Sequence, residues 1–211
     1  MSETVRRFYV ITAVGFAWFA IALQFHLSME QSHAKGMNDF EAIVRFASFF
    51  TVLTNILVAS LLTLSLARRQ SPAAPKLAAG TAYIVIVGVV YFLLLRKTWN
   101  PQGPQLFADI ALHYVMPAVM LGYWLIFVPK GETRWSHALS WLLYPATYLA
   151  FTLLEGPRVN WYPYPFVDVN ALGYTRVLIN SIALFAFFAC VNLLVIGLDR
   201  ALGRRADLQA V

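Results

Sequence analysis

Apolar residues along this chain come in long unbroken stretches, without the three-or-four spacing of a surface helix or the strict alternation of a half-buried strand. Stretches near the ~20 residues a helix needs to cross hydrocarbon fall at 8–27, 44–67, 77–95, 107–128, 138–154 and 177–198, the fifth being the shortest. In hydrocarbon every backbone N–H and C=O must be satisfied within the protein, which leaves helices or closed barrels. The alternating dyads of barrel strands are absent. The pattern therefore predicts an all-α integral membrane protein, with one transmembrane helical domain over 1–211 arranged as a six-transmembrane-helix bundle. No internal repeat or linker divides it.

Composition strengthens that expectation. Hydrophobic residues make up 60% and charged residues 12%, with mean hydropathy +0.64, too little charge to coat a water-soluble surface. The net charge of +6 is spread through short connections and reads as a topology signal. Ten Lys and Arg residues, among them Arg6, Arg7, Arg68, Arg69, Arg204 and Arg205, fall on the side of the termini and six on the other. Both termini are expected in the cytoplasm, on a multi-pass protein of the cell membrane. Arg6 and Arg7 before the first stretch resemble a signal peptide, but its apolar core is too long and no small-residue cleavage site follows, so it reads as an uncleaved anchor. The outward connections, 28–41 and 155–176, are the longer ones, and the second carries Trp161, Tyr162, Tyr164 and Phe166, suited to a membrane interface.

A single cysteine, Cys190, excludes an intramolecular disulfide and a cysteine zinc site. No metal motif, phosphate-cradling glycine loop or basic nucleic-acid patch is present. The expectation is no metal, no cofactor and no nucleic-acid partner; membrane lipids are the expected partners, and the sequence sets no oligomeric state.

Polar groups within the spans are costly, about 2.5 to 3.5 kcal/mol for a central charge, so their clustering matters. Gln24 and His26 lie near the outer end of span one. Ser48, Thr51, Thr54 and Asn55 lie in the outer half of span two, Asp109 and His113 near the start of span four, and Asn180 and Ser181 early in span six. Counted from the span starts, Thr51 and His113 sit at similar depth, roughly 9 to 11 Å in. Thr51 with Asn55, and Asp109 with His113, are spaced i, i+4, so two polar stripes can converge. Pro117 deprives the His113 carbonyl of its usual partner and predicts a bend, and Pro145 does the same to Trp141. This constellation suits acyl transfer: Thr51 as nucleophile, His113 as base, Asp109 as orienter of the imidazole, Asn55 as oxyanion donor and Thr54 positioning water or substrate. The plainer readings are hydroxyls bonded one turn back along their own helix, Asn55 as interhelical glue and Asp109 at the headgroup level.

The stretches RFASFFTVLTNILVA (45–59), LHYVMP (112–117), WLLYP (141–145) and YPYPF (162–166) are together similar to the bacterial Pr6Pr membrane proteins. Those in turn resemble the eukaryotic androgen-induced-gene-1-like family of intramembrane threonine hydrolases. The resemblance implies hydrolysis of fatty acid esters of hydroxy fatty acids or similar lipid-like esters. The family threonine, which follows aromatic residues, corresponds to Thr51 after Phe49 and Phe50, and the family histidine, which precedes a proline, to His113 before Pro117. The alternative is a non-enzymatic lipid-binding or transport bundle using the same polar pocket. Either way the chain is expected to stay in the membrane pellet after alkaline carbonate extraction; recovery in the supernatant would refute integral insertion.

Overall fold

The computed structural model describes residues 2–67 and 72–209, and every regular element among them is helical. Arg68 and Arg69 of the charge tally lie outside the described residues. Four helices are long and apolar enough to cross a membrane: Glu3–His33, Ala74–Leu95, Gly103–Phe127 and Val169–Arg205. A fifth is added if the bent pair Asp39–Ala47 and Phe50–Leu66 counts as one. The chain divides into two compact units, residues 1–130 and 131–211.

The first unit is a ring of antiparallel helices. Helix α1 (Glu3–His33) starts on a Ser2 cap and buries a stripe of mostly small residues, Val10, Ala13, Ala17, Ala20 and Ile21, while Phe8, Ile11 and Phe19 stay exposed. Small residues on the inner face allow the helices to approach closely. Residues 9, 18 and 24 of α1 touch residues 119, 63 and 105 through Tyr9 Oη to Val119 O (2.7 Å), Trp18 Nε1 to Thr63 Oγ1 (3.1 Å) and Gln105 Nε2 to Gln24 Oε1 (2.9 Å). Both α3 (Phe50–Ala67) and the α5–α6 segment (Gly103–Ile110, Met116–Phe127) thus run opposite to α1 and parallel to each other. Helix α4 (Ala74–Val90) closes the ring between α3 and α6. Lys130 finishes α6 by donating to the Trp124 and Val128 carbonyls, the cation at a helix C-terminus favoured by its exposed acceptors.

Span two is not the continuous helix expected over 44–67. Helix α2 (Asp39–Ala47) starts on its own capping box, Asn38 with Glu41, and meets α3 at 77°. Ser48 Oγ donates to Val44 O at 2.7 Å, and the amides of Ser48 and Phe49 bond three residues back rather than four, so the last turn of α2 tightens and the chain turns. The connections also differ from expectation: α1 runs on to His33 through the supposed loop from residue 28, and α8 to Val159 through that from 155. A helix ends where its backbone bonds end, and a polar side chain does not oblige it to stop.

Two π-turns face each other across α4 and α6. The first, Tyr91–Leu95, is closed by Arg96 N to Tyr91 O (2.8 Å), and the second, Ala111–Val115, joins α5 to α6. Pro117 explains the second. Lacking an N–H, it can donate neither to His113 in α register nor to Leu112 in π register. The expected bend is therefore taken up as a widened turn. Gly88 lets α4 approach this point: a Cβ there would stand 3.0 Å from the His113 carbonyl and 3.3 Å from the Pro117 ring.

The second unit contains α7 (His137–Ser140), α8 (Leu143–Val159), a 3-10 turn (Pro165–Val167) and α9 (Val169–Gln209). The disturbance expected from Pro145 at Trp141 is an interruption of the helix. The helix breaks at 141–142 and Pro145 enters in the first turn of α8, where a proline costs no bond. The fifth stretch, expected at 138–154, is thus a 17-residue helix shifted toward the C-terminus. Asn160 ends it in the left-handed region (φ 50°), and the Tyr162 ring lies where a side chain on Gly156 would stand. Helix α9 carries a non-helical Gly173 (φ 73°). Near its far end the buried Asp199 Oδ2 accepts from Gly131 N, Thr133 N (both 3.0 Å) and Thr133 Oγ1 (2.8 Å), tying the 131–133 loop to the helix.

Gly88→Ala should lower the unfolding midpoint in detergent by an amount equivalent to about 1 to 3 kcal/mol, the range for overpacking. Gly15→Ala, with nothing within 4 Å of the added carbon, should leave it unchanged or raise it. Equal midpoints for the two variants would refute the close approach of α4 to His113.

Candidate functional site

The loss of hydrogen bonding at Pro117 organises the site. The Leu112 carbonyl, unpaired by the π-turn, accepts from Asn55 Nδ2 of α3 at 3.3 Å, and the same nitrogen donates to Thr51 O at 2.9 Å. Asn55 is fully buried. Its Oδ1 has no partner, which marks the cost of using the amide to serve two carbonyls. The oxyanion role expected for Asn55 is not available in this arrangement, because both amide hydrogens are taken by main-chain acceptors.

Asp109, four residues before His113 on the helix that carries Pro117, is buried at 3% exposure. Tyr91 Oη donates to its Oδ2 in a short hydrogen bond. His113 Nδ1 is 2.9 Å from the Asp109 main-chain carbonyl and 3.2 Å from Asp109 Oδ1. The carbonyl is the hydrogen-bonded partner; Oδ1 contributes an electrostatic contact without a completed bond. Both are acceptors, so Nδ1 carries a hydrogen, and in the neutral ring Nε2 holds the lone pair. The Tyr91 ring stacks on the imidazole with centroids 3.8 Å apart and planes at 18°, and Tyr114 packs edge-on against Tyr91. The imidazole side chain remains 13% exposed.

Thr51, Thr54 and Asn55 are all buried on α3, and α3 touches the π-turn that carries His113. The expected equality of depth needs correction, since it counts a helix from residue 44 whereas α3 begins at Phe50. The Asn55 to Leu112 bond sets Asn55, not Thr51, level with the His113 backbone. Thr51 stands one turn higher, roughly 6 Å, level with Asp109. Side chains lean toward the N-terminus of their own helix, so the His113 ring, bonded to the Asp109 carbonyl, rises toward that same level. The imidazole's hydrogen bonds nonetheless end on Asp109, and Thr51 is tied to this helix through Asn55.

The other polar residues singled out in the sequence are used differently. Gln24 joins a ladder with Ser28, Gln105 and Gln31. Exposed His26 lies 3.4 Å from Glu30. In the second unit, Asn180 Nδ2 holds the Phe166 carbonyl at 2.9 Å, fixing the aromatic connection, and Ser181 bonds back to Val177 O. Among the described residues no group of three or more His, Cys, Asp or Glu is placed to hold a metal ion. Tyr91 is the member that sequence reasoning missed. It lay in an apolar run with no polar neighbour in helical register, and its partner is 18 residues away on another helix.

Compared with protein-family models, curated proteins and solved structures, the chain finds no match in any of the three.

Tyr91→Phe keeps the ring stack but removes the donor to Asp109. It should destabilise the unit by about 1.5 to 3 kcal/mol, the value of a hydrogen bond to a charged group, read as a lowered unfolding midpoint in detergent. An unchanged midpoint would mean that the hydroxyl does not hold the carboxylate.

Proposed function

We propose that this chain is an intramembrane hydrolase of lipid-like carboxylic esters, fatty acid esters of hydroxy fatty acids or similar, akin to the Pr6Pr and androgen-induced-gene-1-like proteins. The observation that carries this reading is the pair in which the Asp109 main-chain carbonyl holds Nδ1 of His113, with the carboxylate of the same residue 3.2 Å away, and Nε2 is left as base. A main-chain acceptor that fixes the tautomer of an imidazole, with a carboxylate beside the same nitrogen, is the orienting half of an acyl-transfer site.

In the proposed reaction Thr51 Oγ gives its proton to His113 Nε2 and attacks the ester carbonyl. Collapse of the tetrahedral species expels the alcohol, which takes the proton from the imidazolium and leaves an acyl-threonine. Water, deprotonated by the same nitrogen, then attacks the acyl carbon, and the departing Thr51 oxygen is reprotonated as the acid is released. One water is consumed for each ester. Contact between Thr51 and Nε2 forms in the substrate complex, where catalytic hydrogen bonds tighten. Thr54, buried one turn on along the same helix, is assigned the positioning of water or substrate. Tyr91 and Asp109 act on the base and not on the ester.

The same reading gives the chain six crossings in the cell membrane with cytoplasmic termini. The bent α2–α3 pair counts as one and α8 as another, its 17 residues spanning roughly 25 Å. Exposed apolar side chains on several of these helices, Phe8, Leu94, Ile126 and Leu194 among them, suit hydrocarbon and would be a liability in water.

A second reading, a lipid-binding bundle without turnover, is favoured by the imidazole's bonds ending on Asp109 and by the apolar groove beside it. Purified protein should hydrolyse a fluorogenic acyl ester, and Thr51→Ala and His113→Ala should each lower the rate about a hundredfold or more. Full activity in either variant removes that residue from the mechanism. Wild-type protein that carries lipid in native mass spectra but turns over no ester would establish the second reading instead.

A further inference from the structure

Beside His113 the surface between α4 and α6 sinks into a groove of about 510 Å³. Val85, Val89 and Phe92 line one wall and Tyr114, Ala118 and Leu121 the other. Ala118, whose side chain ends at one carbon, lies along it, as do Gly88 and the Pro117 ring where the two helices touch. Apart from the Tyr114 hydroxyl, His113 is the only polar side chain along it.

From residue 113 to 121 on one wall, and from 93 to 85 on the other, the groove follows eight residues of helix, roughly 12 Å. That is most of the half-thickness of a hydrocarbon core, about 15 Å. It begins at the imidazole and leads along α6 away from the end where α5 starts. A single hydrocarbon chain fits these dimensions and this lining; a headgroup or a polar ligand does not, for lack of hydrogen-bonding partners below His113.

We infer that this groove is the acyl-chain subsite of the proposed hydrolase, seating one long alkyl chain of the ester so that its carbonyl comes to rest at His113. The inference rests on the ester-hydrolase reading and adds to it a preference. Chains long enough to run from His113 to Leu121 are bound along their length, whereas short chains leave the groove empty. Each further methylene seated in the groove adds packing contacts with its walls, so specificity should climb with length until the groove is full and then level off.

The test compares 4-nitrophenyl butyrate with 4-nitrophenyl decanoate on the full chain in detergent, together with labelling by a diazirine-bearing fatty acid. Wild type should favour the decanoate by roughly tenfold or more in kcat/KM, as packing along the groove accumulates. Ala118→Phe and, separately, Val89→Phe should collapse that ratio, while Ile126→Phe, exposed elsewhere on α6, should preserve it. Labelling of the peptide spanning 114–121 should be saturable in wild type and lost in Ala118→Phe. A chain-length ratio unaffected by both groove-filling variants overturns the subsite, as does labelling indifferent to Ala118→Phe. Crosslinks joining two copies of the chain through this groove would overturn it too. Absence of turnover on either ester defeats the hydrolase reading, and the labelling result then decides separately whether the groove seats an acyl chain.

Discussion

A single missing N–H at Pro117 governs the architecture of the first unit. Inside a packed bundle water does not reach the carbonyls that a proline leaves open, so the protein must supply partners or distort. It does both. The helix widens into a π-turn over Ala111–Val115, Asn55 crosses from α3 to take the Leu112 carbonyl, and Gly88 allows α4 to close on the His113 carbonyl.

These adjustments also create the candidate chemistry. Asn55 is held in place by backbone acceptors and keeps α3, with Thr51 upon it, against the helix that carries His113. The facing π-turn on α4 brings Tyr91 flat against the imidazole and its hydroxyl to Asp109. A carboxylate buried this deeply is tolerable only when it is hydrogen-bonded. The Tyr91 hydroxyl supplies that bond, and the Tyr91 ring with the Asp109 main-chain carbonyl orients the imidazole. Stability of the unit and orientation of the base are therefore one requirement. The groove beside the imidazole runs between the same two helices.

The second unit uses its polar residues for anchoring. Asp199 gathers the 131–133 loop, and Asn180 fixes the connection that carries Tyr162 to Phe166. In the sequence these resemble the polar residues of the first unit in frequency and in placement within apolar runs. Only their partners separate the two uses.

Helical character and apolar spans were fixed by the order of the residues alone, since length and hydropathy decide them without reference to neighbours. So were the i, i+4 pairing of Asp109 with His113 and the disturbance at Pro117, which are local to one helix. Pairing between helices was not legible. The break before Phe50, the π-turns, the commitment of Asn55 to two carbonyls and the arrival of Tyr91 at Asp109 depend on which helices pack together and at what height. A helix repeats every turn, so sequence periodicity can say which residues share a face, but contact with another helix decides which partner that face meets.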